Sequence, residues 1–336
     1  MYLATYSYPG RNSPPQLGAL LGNSILNLQA AQRRVAVERE PLGEALPDSL
    51  YELIAAGPRA WQTVRDLIAL LPDGDQAGIH EPGKEQLAFP LDQVILHPPL
   101  PRPMSLRDFY AFEQHVTNAH KVRGKTVADE WYQFPVFYFS NANAVYGPGE
   151  AVPHPSYTTE MDFELEVACV IGKTGINIPV EEAESYIFGY TIFNDWSARD
   201  IQRREVKVGL GPAKAKDFAS SLGPWIVTPD ELQERATGRP GVYNLEMTAR
   251  INGRRVSRGN WGDLHYSFGE MIARASQDVY LFPGDVFGSG TVGGGCLLEI
   301  TSGGGPWLTP GDVVELEIER LGVLRNTVVE PVPVHS

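Results

Sequence analysis

Polar and apolar positions alternate along residues 162–171, which read Asp162-Phe163-Glu164-Leu165-Glu166-Val167-Ala168-Cys169-Val170-Ile171. Strand side chains point to opposite faces in turn, so the pattern predicts one β-strand. Asp162, Glu164 and Glu166 share one face, and Phe163, Leu165, Val167, Cys169 and Ile171 point into a core. A second alternating run, 313–319, predicts a strand whose acids Glu315, Glu317 and Glu319 face water. Near the start of the chain, 17–20 and 25–28 flank Gly22-Asn23, two strands with turn chemistry between them. Helical patterns cover 49–56 and 60–71, punctuated by Pro58 and Pro72, and shorter ones cover 181–188 and 266–276. Pro283-Gly284-Asp285-Val286 and Pro310-Gly311-Asp312-Val313 are matched turn signals, Pro then Gly suiting a type II turn before a strand.

Like charges two residues apart on one strand face repel. Exposed, they are screened by water and salt; in a pocket they need protons or a cation. Carboxylate oxygens are hard ligands suited to Mg²⁺, Ca²⁺ or Mn²⁺. The motif alone leaves a metal site and a solvated strand face equally open. A second acidic motif, Phe193-Asn194-Asp195-Trp196-Ser197-Ala198-Arg199-Asp200-Ile201-Gln202, adds an oxygen ligand in Asp195 and donors in Arg199 and Gln202. If the stretch after Trp196 is helical, Arg199 and Gln202 share a face. The plainer alternative is a helix start with Asp195 as its cap.

A chain of 336 residues exceeds what one hydrophobic core usually supports. The stiff run His97-Pro98-Pro99-Leu100-Pro101-Arg102-Pro103 is the best boundary. It divides a small β-containing N-terminal domain (1–96) from a strand-dominated C-terminal one (104–330), with 97–103 as linker. High glycine and proline usage, 34 and 27 residues, favours a mainly β, α+β fold. A net charge of −13 disfavours nucleic acid and anionic lipid as partners, and no apolar run reaches membrane-spanning length. Cys169 and Cys296 read as buried small hydrophobes in a reducing compartment. The first residues lack a signal-peptide pattern, so a cytoplasmic location is expected. Residues 288–293 match a dinucleotide-binding glycine pattern in letters, but no helix pattern follows, and they read as a loop near the site.

Asp108-Phe109-Tyr110-Ala111-Phe112-Glu113-Gln114-His115 completes an ordered set. Together with Glu164-Leu165-Glu166, the Asn194–Gln202 motif, Leu210-Gly211-Pro212, Lys216, Pro224-Trp225, Gly288-Ser289-Gly290-Thr291 and Pro310-Gly311-Asp312-Val313-Val314, it resembles the fumarylacetoacetate hydrolase family. The likeness runs from about 104 to 328 and implies a C-terminal mixed β-sandwich or roll, a homodimer, and a small diketo acid or 2-oxo acid as substrate. It also implies Asp108, Glu164, Glu166 and Asp195 as ligands for Mg²⁺ or Ca²⁺, with Mn²⁺ a further option. His115 matches the general base and Glu299 the carboxylate that orients it. Arg199, Gln202 and Lys216 match groups that stabilise developing negative charge. Tyr110, Arg123, Tyr138 and Thr291 match substrate-contacting positions. The implied reaction is hydrolysis of a carbon–carbon bond in a 1,3-diketo acid; the alternative is enolate chemistry on a 2-oxo acid without net hydrolysis. Asp162 receives no role. Val206 replaces a substrate-touching tyrosine of the family, and Ala219-Ser220 replaces a Gly-Thr pair.

Overall fold

Strands from both sides of the proline-rich stretch meet in one sheet. The computed structural model describes residues 1–10, 14–38, 42–70 and 86–333. Tyr2–Ser7 pairs antiparallel with Ser220–Val227, placing Tyr2 opposite Val227. The sheet continues through Ile187–Asp195 and Leu165–Ile171 to Val286–Gly288, Leu106–Phe109 and Phe137–Phe139. On its other side lies the expected hairpin, Gln16–Leu21 with Ser24–Asn27, turning at Gly22 with φ +56°. A second sheet holds Arg254–Asn260, Glu246–Ile251, Val313–Ile318, Gly322–Val329 and Ala151–Pro153.

The strand Leu165–Ile171 is buried on both faces, which is why its sequence is nearly all apolar. Leu165, Val167 and Cys169 pack with Met247, Ala249, Leu316 and Leu324 of the second sheet, forming the interior of a sandwich. Ala168 and Val170 face the other way, against a layer containing Leu53, Ile54, Trp61, Val64 and Leu67. Those five come from the helices Leu50–Ala56 and Pro58–Ala69. The mainly β, α+β expectation thus holds, with helices covering one face of the larger sheet.

Local signals place the helices. Ser49 and Glu52 form a reciprocal capping box, as do Ser267 and Glu270 at the start of Phe268–Ala275. Pro58 occupies the first helical turn, where its missing N–H costs nothing. Leu71 and Pro72 lie outside the described residues. The pattern at 181–188 gives less helix than expected: helical turns end at Tyr186, and Ile187 and Phe188 join the buried strand. The helix Leu28–Glu38 escaped the sequence reading, which extended the preceding strand through Leu28. Asn27 Oδ1 accepts from the Ala30 N–H and starts the helix there.

The run 162–171 is also not one strand. Met161–Asp162 pairs with Ser197–Ala198 as a separate two-stranded piece, and the long strand begins at Leu165. Side chains take over the backbone hydrogen bonds at the break: the Phe163 N–H donates to Asp162 Oδ1, and the Glu164 N–H to Asn194 Oδ1. The acids of 313–319 face the surface as expected, with Glu315, Glu317 and Glu319 meeting Arg325, Arg250 and Arg235. Such exposed pairs contribute little.

The sandwich interior makes a stability contrast measurable. Leu316→Ala is expected to cost about 3 kcal/mol in urea unfolding, because Leu316 is buried between the sheets. Val323→Ala, on the outer side of the adjoining strand, should stay within about 0.5 kcal/mol. Equal losses would contradict this packing.

Candidate active site

Four carboxylates converge where strands end. Asp108 comes from Leu106–Phe109, Glu166 from Leu165–Ile171, Asp195 from the last position of Ile187–Asp195, and Glu164 from just before its strand. The register aligns Leu165 with Asn194 and Gly288 with Asp108. One oxygen from each acid lies within 4.8 Å of the others, and all four residues are buried. Close approach requires glycine at two places. A Cβ on Gly288 would stand 2.6 Å from Asp108 Oδ1, and one on Gly290, whose φ is +78°, would stand 2.6 Å from the Phe109 carbonyl. The Gly290 N–H donates to Glu166 Oε2 (2.8 Å) and Asp108 Oδ1 (3.2 Å).

Neutralisation inside the protein is incomplete. Lys216 Nζ donates to Glu164 Oε2 and Asp195 Oδ2, both at 2.5 Å. Arg199 Nη2 donates to Glu164 Oε1 at 2.8 Å, and Tyr138 Oη to Asp195 Oδ2 at 2.5 Å. Glu166 Oε1 and Asp195 Oδ1 remain buried without a hydrogen-bond partner among the described residues. Unpaired buried carboxylate oxygens are costly, and an all-oxygen set suits a hard divalent cation. The residues present therefore fit a metal site.

The electrostatics agree. Burial, then the neighbouring acids, pushes the carboxyls of Asp108 and Glu166 well above the usual range. Burial also lifts Asp195 to about 6, with Lys216 opposing. Burial would raise Glu164 as well, but Lys216 and Arg199 outweigh it and hold that carboxyl low. Burial alone would lower the Lys216 ammonium; Asp195 and Glu164 hold it above its ordinary value.

A second cluster adjoins the first. His115, on the helix Glu113–Val122, points Nδ1 at Glu299 Oε1. Glu299 Oε2 accepts from Asn118 Nδ2 at 2.7 Å and the Gly294 N–H at 3.0 Å. Burial works against the Glu299 carboxylate, but the His115 contact and the other donors keep its pKa below the ordinary value. Tyr110 sets its ring edge-on to His115, with centroids 5.2 Å apart. Both clusters border one cavity of about 330 Å³, with Arg123, Gln202, Thr291 and Val206 also in its wall.

The fumarylacetoacetate hydrolase C-terminal family model matches residues 105–329. The chain belongs to the fumarylacetoacetate hydrolase family. It is 30% identical over 309 residues to the oxaloacetate tautomerase YisK of Bacillus subtilis (strain 168), covering 90% of this chain and 92% of that protein. It is 28% identical over 358 residues to the fumarylacetoacetase of Arabidopsis thaliana, covering 88% and 82%. The crystal structure of maleylpyruvate hydrolase from Sphingobium sp. SYK-6, in complex with manganese(II) ion and pyruvate, superposes with a TM-score of 0.67 at 25% identity, covering 99% of this chain and 100% of that one.

Within this family fold, every residue singled out from sequence reaches the site or its immediate backing. Asp195 and Glu299 stand directly behind the cavity wall; the other eleven line it. Lys216 is buried there, whereas Lys214 pairs with Asp217 on the surface. Glu299 lies on the short helical turn Leu297–Ile300, in a stretch where the sequence shows no helix pattern. Gly294 and Gly295 let the chain double back here, a loop feature that alternation cannot reveal.

Two contributors were missed. Asn118 lies three residues after His115 on one helix, so helical spacing could have exposed it. Alternation placed Asp162 beside Glu164 and Glu166 but gave no role for it. Its Oδ2 accepts from Arg199 Nε (2.8 Å) and the Leu298 N–H (3.0 Å); its Oδ1 accepts from the Leu297 N–H (2.8 Å). One fully buried acid thus ties the turn bearing Glu299 to the arginine that holds Glu164.

Asp162→Asn places an amide among donors and removes a buried charge partner. It should cost about 3–5 kcal/mol of stability in denaturant titration; a loss below about 1 kcal/mol would contradict this role. The carboxyls raised by burial also give metal binding a sign. Below their raised pKa values the carboxyls of Asp108, Glu166 and Asp195 hold protons that a divalent ion must displace. Calorimetric Mg²⁺ titration in two buffers of different ionisation enthalpy should therefore report proton release, diminishing as pH rises. Buffer-independent heats would contradict it.

Proposed function

We propose that this protein is a divalent-metal-dependent hydrolase that cleaves a carbon–carbon bond in a 1,3-diketo acid. The observation that supports this most directly is the His115–Glu299 pair beside the four-carboxylate cluster in one cavity. Asp108, Glu164, Glu166 and Asp195 would hold Mg²⁺, Ca²⁺ or Mn²⁺. Such an ion supplies Lewis-acid stabilisation of enolate oxygens.

The chain's own residues do the rest. Glu299 fixes the His115 ring through Nδ1, leaving Nε2 to take a proton from water. The resulting hydroxide adds to one carbonyl, and the bond to the central carbon breaks. His115 then returns the proton to that carbon, so one water is consumed and an acid and a ketone form. Lys216 has two of its three N–H groups on carboxylates and keeps one for a developing oxyanion. Gln202 accepts from Arg199 Nη1 at 3.1 Å, which leaves its amide N–H₂ for substrate. Arg123, Tyr110, Tyr138 and Thr291 would position the substrate; Thr291 Oγ1 is buried at the cavity wall with no hydrogen-bond partner among the described residues.

A second reading is supported by the likeness to YisK, an oxaloacetate tautomerase. There the same pair would move a proton between carbon and oxygen without adding water. Product analysis separates the two: with Mg²⁺, an acylpyruvate should yield pyruvate and a carboxylic acid, and EDTA should abolish the reaction. Enol–keto exchange of oxaloacetate without cleavage of any diketo acid would favour the tautomerase. His115→Ala should lower hydrolysis by about 10²–10⁴ while calorimetric Mg²⁺ binding persists. Near-normal turnover in that variant would remove the dyad from the mechanism.

A further inference from the structure

The cavity is divided in chemistry. Its floor is ionic, but its mouth is bordered by Val136, Val206, Leu210 and Pro212. Val206 lies in the last turn of the helix Arg199–Val208. Leu210 follows between Gly209 and Gly211, whose φ angles are +82° and +91°. These left-handed positions turn the chain sharply, and Leu210 is left 86% exposed. Single exposed leucines need no explanation. Here apolar side chains from two separate segments, around 136 and around 206–212, border one otherwise ionic cavity.

The charges add a second, independent constraint. Asp108, Asp162, Glu164, Glu166, Asp195 and Glu299 surround the floor. Arg199 is engaged by Asp162 and Glu164, and Lys216 by Glu164 and Asp195. Nearby Arg203 pairs with Glu160 at 2.6 Å. Arg123 is the cavity cation without an ion pair among the described residues. Even with Arg123, Arg199, Lys216 and a divalent ion counted together, the six acids are in surplus by one charge. The protein side thus offers one guanidinium for a substrate carboxylate, and a second carboxylate would meet an acidic floor or an apolar rim.

We propose that the substrate carries a single carboxylate, received by Arg123, and an uncharged apolar acyl arm lying along Val206 and Leu210. Val206 and Leu210 are then specificity-determining residues, setting a preference for alkyl or aryl acyl groups over acyl groups ending in a carboxylate. This rests on the cavity being the diketo-acid site proposed above.

Binding and turnover test it separately. With Mg²⁺-loaded full-length protein, calorimetry on N-alkyl oxamates, from methyl to hexyl, reads the arm without requiring catalysis. Affinity should rise about two- to fourfold per methylene over the first few carbons. A carboxylate-tipped oxamate of equal length should bind at least about tenfold more weakly than its alkyl counterpart. In the double variant Val206→Ser with Leu210→Ser, the chain-length dependence should flatten while methyl oxamate binds as before. Flat affinity across the alkyl series in the unaltered protein, or tighter binding of the carboxylate-tipped compound, would overturn the proposal.

In parallel, kcat/KM should favour hexanoylpyruvate over fumarylpyruvate. Hydrolysis that favours fumarylpyruvate would sink the apolar-arm inference and leave the hydrolase reading intact. A clear alkyl dependence in binding with no hydrolysis of any acylpyruvate would do the reverse.

Discussion

Burying several like charges in one place is the constraint on which the rest of this structure depends. Asp108, Glu164, Glu166 and Asp195 are withdrawn from water with their oxygens within 4.8 Å of one another, an arrangement that repels itself strongly at low dielectric. Lys216 and Arg199 offset part of that repulsion and are themselves almost fully buried, so each cation is as dependent on the acids as the acids are on it. Removing either side leaves an uncompensated buried charge, which costs more than the pair contributes. Two of the cluster's carboxylate oxygens still lack partners among the described residues. The cluster is stable as a site and unsatisfied as a core, which is the condition for taking up a cation.

The fold answers this constraint with strand ends. Acids in the middle of a doubly covered strand would face apolar layers, whereas at strand ends they face loops that can bring backbone N–H groups and cations. Ile187–Asp195 pairs with Leu165–Ile171, and Val286–Gly288 joins Leu165–Ile171 to Leu106–Phe109, so three strands of one sheet deliver their acids to one place. The loop after Val286–Gly288 then folds back, and its Gly290 N–H bonds Glu166 and Asp108. Asp162 ties the other side, fixing the turn that carries Glu299 to Arg199 and Glu164. The dyad and the carboxylate cluster are therefore held by one hydrogen-bonded frame.

This division explains what could be read from the chain. Alternation at 162–171 located the acids and their core-facing partners, because strand periodicity is local information. It could not show that Phe163 and Glu164 leave the ladder, nor that Asp162 binds Arg199 and Leu297, since Asn194, Arg199 and Leu297 are remote in sequence. The helix patterns beginning at 49 and 266 were legible, and the capping boxes at Ser49 and Ser267 start those helices. Leu28–Glu38 was hidden, because the strand Ser24–Asn27 runs directly into it and Asn27 is both its end and the helix cap. The residues of the site came from ordered motifs that resemble one family, and the comparisons bear out that family. Their convergence on one cavity is a property of the fold alone.

The acidic floor and the cavity mouth answer to different demands. The floor is over-determined: Glu164 touches Arg199 and Lys216, Asp195 touches Lys216 and Tyr138, and any change disturbs several buried charges together. The mouth is free of such ties. Val206 and Leu210 protrude from the end of a helix and a glycine-flanked turn, where substitution costs little stability but alters what a substrate arm meets. In the function proposed here, reaction type would rest on residues that cannot easily vary, and substrate choice on residues that can. Relatives on this scaffold bear names as different as tautomerase and hydrolase. The chemistry of the rim, rather than of the four carboxylates, is where this protein's own substrate is to be sought.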